Sequence, residues 1–236
     1  MIGWNLYLIG VSGSGFSLSS MHEFLYYNCK LSGRKTDEII LIGASKAQTI
    51  DSIREAYESG LAHFGENYLQ EAEEKIRNLP KDLVWHYIGS IQSRKAKRIA
   101  EIFDWVHTVD SVKVAMKLNN ARPKSRGFLN VCLQINIDNE ENKSGLDLKE
   151  IDSFIEQTKS LENLKIRGLM VIPRPREALE EQKEIFGIVK NIFSTLNEKG
   201  NNFDTLSMGM SSDYAAAIQE GATMIRVGTG IFGQRK

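Results

Sequence analysis

Eight short apolar runs, each followed by residues of helical periodicity, recur from Ile39 to the C-terminus, and this count constrains the fold more than any other feature. The runs cover residues 39–46, 62–67, 85–89, 105–109, 131–137, 166–172, 206–210 and 224–228. Short runs rich in Ile and Val, without polar alternation, read as strands buried on both faces, as in a parallel sheet. Between them apolar residues fall three or four apart: Ile50, Ile53, Ala56 and Tyr57 after the first run, Leu69, Ala72 and Ile76 after the second, and Ile185, Phe186, Val189, Ile192, Phe193 and Leu196 after the sixth. An open doubly wound sheet carries a Gly-rich turn after its first strand, which Ala44-Ser45-Lys46 does not supply. Eight strand–helix units instead close a (β/α)8 TIM barrel, a fold of about 250 residues.

At 236 residues the chain suits one such domain. The expected organisation is an irregular leader over residues 1–20, a short helix over 21–29, and a single barrel domain over 21–236. Thr49 is placed to cap the helix after the first strand, Asp110 or Ser111 the helix after the fourth, and Ser211 or Ser212 the helix after the seventh. The leader holds Gly and Ser in alternation at 10–15, but lacks the Lys-Ser/Thr ending of a phosphate loop and the spacing of a nucleophile elbow. It also lacks the basic start of a signal peptide. It reads as a flexible segment that translation from Met21 would omit.

Thirty basic and thirty acidic residues balance, so no global field favours nucleic acid or an anionic membrane, and a small molecule is the better partner. The run Arg94-Lys95-Ala96-Lys97-Arg98 has no interleaved aromatics and reads as a solvated helix face. No window reaches the roughly 18 consecutive apolar residues of a membrane span. Two cysteines, Cys29 and Cys132, are too few for a disulfide framework and point to a reducing cytosol. The four histidines, His22, His63, His86 and His107, have no metal-ligand spacing.

In such barrels the functional face lies at the C-terminal ends of the strands, where the last two loops often hold a phosphate. Here those loops read Ser207-Met208-Gly209-Met210-Ser211-Ser212-Asp213 and Gly228-Thr229-Gly230, in which glycines admit an anion to backbone amides and hydroxyls add donors. Each loop alone is equally well an ordinary turn. Lys46, read as the last residue of the first strand, is an ammonium at the end of a buried segment, the usual source of a Schiff-base nucleophile. Arg226, inside the eighth strand, shares a face with Met224 and Gly228; it is either half of a buried ion pair, with Glu66 or Asp110, or a cation directed at a ligand. Asn67 closes the second strand as a ligand donor or a turn residue, His86 faces the barrel mouth or the core, and Lys143 reads as a surface lysine.

Assembled, these segments resemble the single-domain pyridoxal phosphate (PLP) homeostasis proteins, whose fold is similar to the N-terminal barrel domain of alanine racemase. The resemblance rests on Ala44-Ser45-Lys46, Phe64-Gly65-Glu66-Asn67-Tyr68, Trp85-His86-Tyr87-Ile88-Gly89, Gln92-Ser93-Arg94-Lys95, Gly168-Leu169-Met170-Val171-Ile172-Pro173, Leu206-Ser207-Met208-Gly209-Met210-Ser211 and Arg226-Val227-Gly228-Thr229-Gly230-Ile231-Phe232-Gly233. The first twenty residues depart from the family's usual amphipathic start. The resemblance implies that Lys46 forms the Schiff base with PLP, that Ser207, Gly209, Ser211, Gly228 and Thr229 surround its phosphate, and that Arg226 faces its pyridine nitrogen. Asn67 joins this set as a candidate.

Alanine racemases add a β domain whose tyrosine is a second base; here the chain ends soon after the eighth strand. The expectation is therefore a cytoplasmic PLP carrier, monomer or weak dimer, that buffers the cofactor and hands it to apo-PLP enzymes, with no catalytic residue and no metal. The alternative is a PLP-dependent racemase or decarboxylase that borrows a base from a partner subunit. A third reading, an aldolase-type enzyme using Lys46 without PLP, predicts a colourless protein, whereas the carrier should be yellow.

Overall fold

The computed structural model describes residues 18–141 and 144–233. Most of the expected leader and Lys143 lie outside the described residues. The eight strands are β1 (Ile40–Ala44), β2 (His63–Glu66), β3 (Val84–Tyr87), β4 (Trp105–Val109), β5 (Leu129–Gln134), β6 (Leu164–Met170), β7 (Thr205–Ser207) and β8 (Met224–Val227). They are parallel and form a closed barrel in chain order, sealed where β1 pairs with β8. Ile42 stands opposite Arg226 at that seam, and Gly43 opposite Val227.

The strands alternate with helices α1 (Leu18–Leu31, before β1), α2 (Ile50–Glu58), α3 (Leu69–Asn78), α4 (Ala96–Ile102), α5 (Val112–Ala121), α6 (Ile151–Thr158), α7 (Leu179–Glu198), α8 (Tyr214–Gln219) and α9 (Thr229–Phe232). Sequence reasoning missed α9, a single turn directly after β8, and the short helix expected over 21–29 is longer at both ends. The Thr49 hydroxyl accepts the Ser52 N–H at 3.1 Å and caps α2, and Ser111 rather than Asp110 caps α5 through the Val114 N–H at 3.3 Å. Neither Ser211 nor Ser212 caps α8. Asp213 precedes it, and its carboxylate accepts the Met210 N–H at 2.6 Å, which tightens the turn and delays the helix to Tyr214.

Strand alternation divides the buried residues into two layers. Ile42, Trp105, Cys132, Met170 and Met224 fill the inside of the barrel. A larger cluster between strands and helices includes Phe64, Leu118, Leu133, Leu169 and Phe186, all fully buried. Each such side chain contributes about 1.5–3 kcal/mol by leaving water. Cys29 and Cys132 are free thiols in these cores. Arg98, from the basic run, pairs with Glu73 and Glu101 across the surface of α3 and α4. No described helix is long and apolar enough to cross a membrane.

Several strands end earlier than their apolar runs suggest, because the residues that follow enter the site as turns. β1 stops at Ala44, so Lys46 is not its last residue but the second residue beyond it. The Ser45 N–H still bonds to Gly65 at 2.9 Å; the chain then turns sharply, with Ala47 at φ 59°.

Candidate functional site

The C-terminal mouth of the barrel holds a cavity of about 390 Å³ whose walls include Lys46, Asn67, Ser211, Arg226, Gly228 and Thr229, together with Ser212, Met210 and Ile172. The structure thus brings together, on one wall set, six of the eight residues singled out from the sequence. The other two stand behind the wall. Ser207 is fully buried beneath Arg226, and Gly209 shapes the turn after β7. Gly209 has φ +97°, and a Cβ there would lie 2.6 Å from the Ala217 Cβ, so only glycine lets α8 pack against this turn.

Lys46 is gripped from both neighbouring residues. The Ser45 hydroxyl donates to Glu66 Oε1 at 2.6 Å. Lys75, from α3, spends its three N–H donors on Ser45 O (2.8 Å), Glu66 Oε1 (2.7 Å) and Glu71 Oε2 (3.2 Å). Glu71 Oε2 in turn accepts the Ala47 N–H at 2.9 Å. A second lysine, with a side chain only 6% exposed, therefore clamps the turn that presents the first.

Burial raises the Glu66 carboxyl above its ordinary value, against the pull of Lys75 and Ser45, and its Oε2 makes no hydrogen bond. Burial also works against the Glu71 carboxylate, but the Ala47 N–H and Lys75 outweigh it and hold it below its usual range. This brace escaped sequence reasoning. The readable signal was Lys75 itself, three residues after Ala72 on the apolar stripe of α3, where an unpaired lysine would be costly.

Arg226 lies on the inward face of β8. Its Nη1 donates to Ser207 Oγ at 2.5 Å and its Nη2 to the Val171 carbonyl at 2.9 Å. It forms no ion pair with Glu66 or Asp110. Glu66 points outward to Lys75, because it alternates with Gly65, which lies level with the inward His86. Burial lowers the Arg226 guanidinium to about 10, with Asp213 acting in the opposite sense, so it stays charged at neutral pH.

Asn67 follows β2 and is held by a close backbone contact. A Cβ on Gly89 would come within 2.2 Å of the Asn67 carbonyl oxygen. His86 does not reach the mouth; it is fully buried inside the barrel between His63 and His107. On the same face Asp138 accepts the Arg174 N–H at 2.6 Å and pairs with Arg176, tying the loop after β5 to the loop that carries Ile172.

The cavity wall therefore carries one amine, one guanidinium, three hydroxyls and the carboxamides of Gln48 and Asn67, with no carboxylate, imidazole or phenol among the described residues. Such a set suits an anionic ligand with an electrophilic carbon within reach of Lys46.

Comparison with known proteins agrees with this chemistry. Residues 36–236 match the family described as alanine racemase, N-terminal domain. The pyridoxal phosphate homeostasis protein of Escherichia coli strain K12 is 44% identical over 207 residues, which cover 86% of this chain and 88% of that protein. PipY of Synechococcus elongatus, solved with PLP bound, is 36% identical with a TM-score of 0.77, covering 89% of this chain and 100% of PipY. Alanine racemase from Clostridium difficile superposes with a TM-score of 0.70 at 16% identity, over 90% of this chain and 59% of the enzyme, which shows a shared fold alone. With a barrel, a family match over most of its length and relatives above 40% identity, this chain belongs to the pyridoxal phosphate homeostasis protein family, within the wider alanine racemase N-terminal domain family.

Proposed function

We propose that the chain binds PLP at the C-terminal mouth of the barrel, with Lys46 as the covalent attachment point, and serves as a carrier and buffer of the cofactor without robust turnover. The observation that carries this reading is the convergence of Lys46, Arg226, Ser211 and Thr229 on one cavity. The fit is chemical and steric. The donors on the wall are cations, hydroxyls and the amides of Gln48 and Asn67, and the absence of a Cβ at Gly228, which would sit 3.4 Å from the Ala44 carbonyl oxygen, leaves room beside Lys46 for a ligand to lie against the seam of β1 and β8.

When bound, PLP supplies an aldehyde that an amine can capture and, if its ring nitrogen is protonated, an electron sink. Lys46 provides the amine on a turn whose conformation Glu71 and Lys75 fix in advance. Ser211, Ser212, Thr229 and the turn after Gly228 would hold the phosphate. Arg226 would face the ring nitrogen, where a fixed positive charge disfavours its protonation and weakens carbanion chemistry. Among the described residues, Lys46 and Arg226 are the only ionisable side chains on the wall. That supports a carrier over a racemase, since among the described residues no second acid or base lines the wall with Lys46. Recipients of the cofactor would be apo-PLP enzymes in the same cytoplasm.

The test is the visible spectrum of purified protein before and after borohydride, followed by peptide mapping. A yellow protein whose reduced pyridoxyl label sits on Lys46, and is lost in Lys46→Ala, is expected. A label on another lysine overturns the assignment, and sustained racemisation of a chiral amino acid overturns the carrier role.

A further inference from the structure

Arg226 is one end of a line of polar side chains that crosses the inside of the barrel. Its Nη1 donates to Ser207 Oγ; Ser207 Oγ lies 2.7 Å from His107 Nδ1, His107 Nε2 lies 2.8 Å from His86 Nδ1, and His86 Nε2 lies 2.9 Å from His63 Nδ1. Ser207, His107 and His86 are fully buried. His63 is half-buried at the start of β2 and lines a second cavity of about 530 Å³, at the N-terminal ends of β1 and β2, with His22, Tyr26 and Asp37.

The chemistry of the groups gives this row a direction. A guanidinium only donates, so Ser207 Oγ accepts from Arg226 and must place its own proton elsewhere; His107 Nδ1 is the acceptor within reach. Neutral His107 then carries its proton on Nε2 and donates to His86, and His86 donates through Nε2 to His63. His63 is left with its Nε2–H toward the second cavity. Three neutral imidazoles satisfy every link. Burial depresses the basicity of all three, strongly for His86 and His107, with Arg226 adding to the effect on His107 and the neighbouring imidazoles adding to that on His86; Asp104 opposes it at His63.

We infer that Ser207, His107, His86 and His63 are positioning residues for Arg226, joined in a one-directional row that ties the guanidinium in the ligand cavity to the protonation of His63 at the opposite mouth. One added proton, with its charge on His63, keeps all the imidazole links only if each reverses. His63 Nδ1–H then donates to His86 Nε2, His86 Nδ1–H to His107 Nε2, and His107 Nδ1–H to Ser207 Oγ. Ser207 now accepts from both His107 and Arg226, its hydroxyl proton turns away, and its hold on Arg226 weakens. The charged or titratable groups around His63 are His22, Tyr26, Asp37, Asp104 and His86.

Nitrogen-15 NMR of the labelled full chain tests the row directly. At neutral pH His63, His86 and His107 should all be Nε2–H tautomers. On acidification His86 and His107 should convert to Nδ1–H with the same midpoint as protonation of His63. A His107 already Nδ1–H at neutral pH, or a His63 that titrates while the other two stay unchanged, overturns the row.

The link to the cavity rests on the function proposed above and has its own readout, the affinity for PLP followed by tryptophan fluorescence. Across that midpoint the wild type should lose about fivefold in affinity relative to His86→Phe, in which the row is cut. Identical pH profiles for the two overturn the coupling. Should His86→Phe not fold, Ser207→Ala, which removes the last link, replaces it. Absence of PLP binding altogether would sink the proposed function, while the tautomer spectra would still decide the row.

Discussion

The carboxylate of Glu71 accepts the backbone N–H of Ala47 at 2.9 Å and so holds, one residue past Lys46, a left-handed backbone that alanine rarely adopts. A strained residue of this kind costs about 1–3 kcal/mol and persists only where its surroundings insist on it. The turn that presents the amine is therefore kept in shape by a helix that never enters the cavity.

Ala47→Gly removes the steric cost of that backbone. It should raise the stability of the apo protein by about 1 kcal/mol in urea unfolding, while loosening Lys46 and slowing its borohydride-trapped labelling by PLP. A destabilised variant that labels at the wild-type rate would show that the conformation carries no strain.

Lys75→Met strips the buried Glu66 carboxyl of the cation it pairs with. Breaking one side of such a pair costs about 3–5 kcal/mol, whereas Lys75→Met combined with Glu66→Gln should recover most of it. Chemical denaturation of the single and double variants measures the difference. Equal stabilities would mean that the pair is not coupled.

The buried histidines set a pH dependence whose sign is fixed. His86 and His107 are held neutral, well below the ordinary imidazole range, by burial first. As pH falls through the unfolded value near 6.5, the unfolded chain takes up protons that the folded chain refuses, so stability present at neutral pH is lost on acidification. Each of the two contributes up to about 1.4 kcal/mol per pH unit below that value. Urea midpoints at pH 7, 6 and 5 should fall accordingly, and more gently in His86→Asn. A flat profile from pH 7 to 5 would contradict their neutrality.

Gly89→Ala adds no charge and removes no donor, yet its Cβ would press on the Asn67 carbonyl oxygen. The strand ends must then move apart. PLP affinity should weaken by about tenfold, the equivalent of roughly 1.4 kcal/mol, with Lys46 still the labelled residue. Titration of the variant with PLP, read by absorbance, checks this.

The barrel was legible because its signal is repetition. Eight apolar runs and the helical spacing of residues such as Ile53 and Ala56 depend only on which side of each element faces a core. Lys46, Arg226 and the Ser211 and Thr229 loops were legible because their residue types are expensive or uncommon where they stand. The brace was not, since Glu66, Glu71 and Lys75 are ordinary charges until packing brings them together. Nor was the row from His63 to Ser207. Those residues come from four different strands, and only the register between strands stacks their rings into hydrogen-bonding distance. The missing partner for Arg226 follows from the same limit, because strand alternation gives a residue's face but not its neighbour across the barrel.

The seam between β1 and β8 sets Ile42 level with Arg226, so the amine of the cavity, on the turn just past the first strand, meets a guanidinium carried by the last strand of the ring. That wall exists only where the two ends of the ring have paired, so closing the cylinder and assembling the cavity are one event.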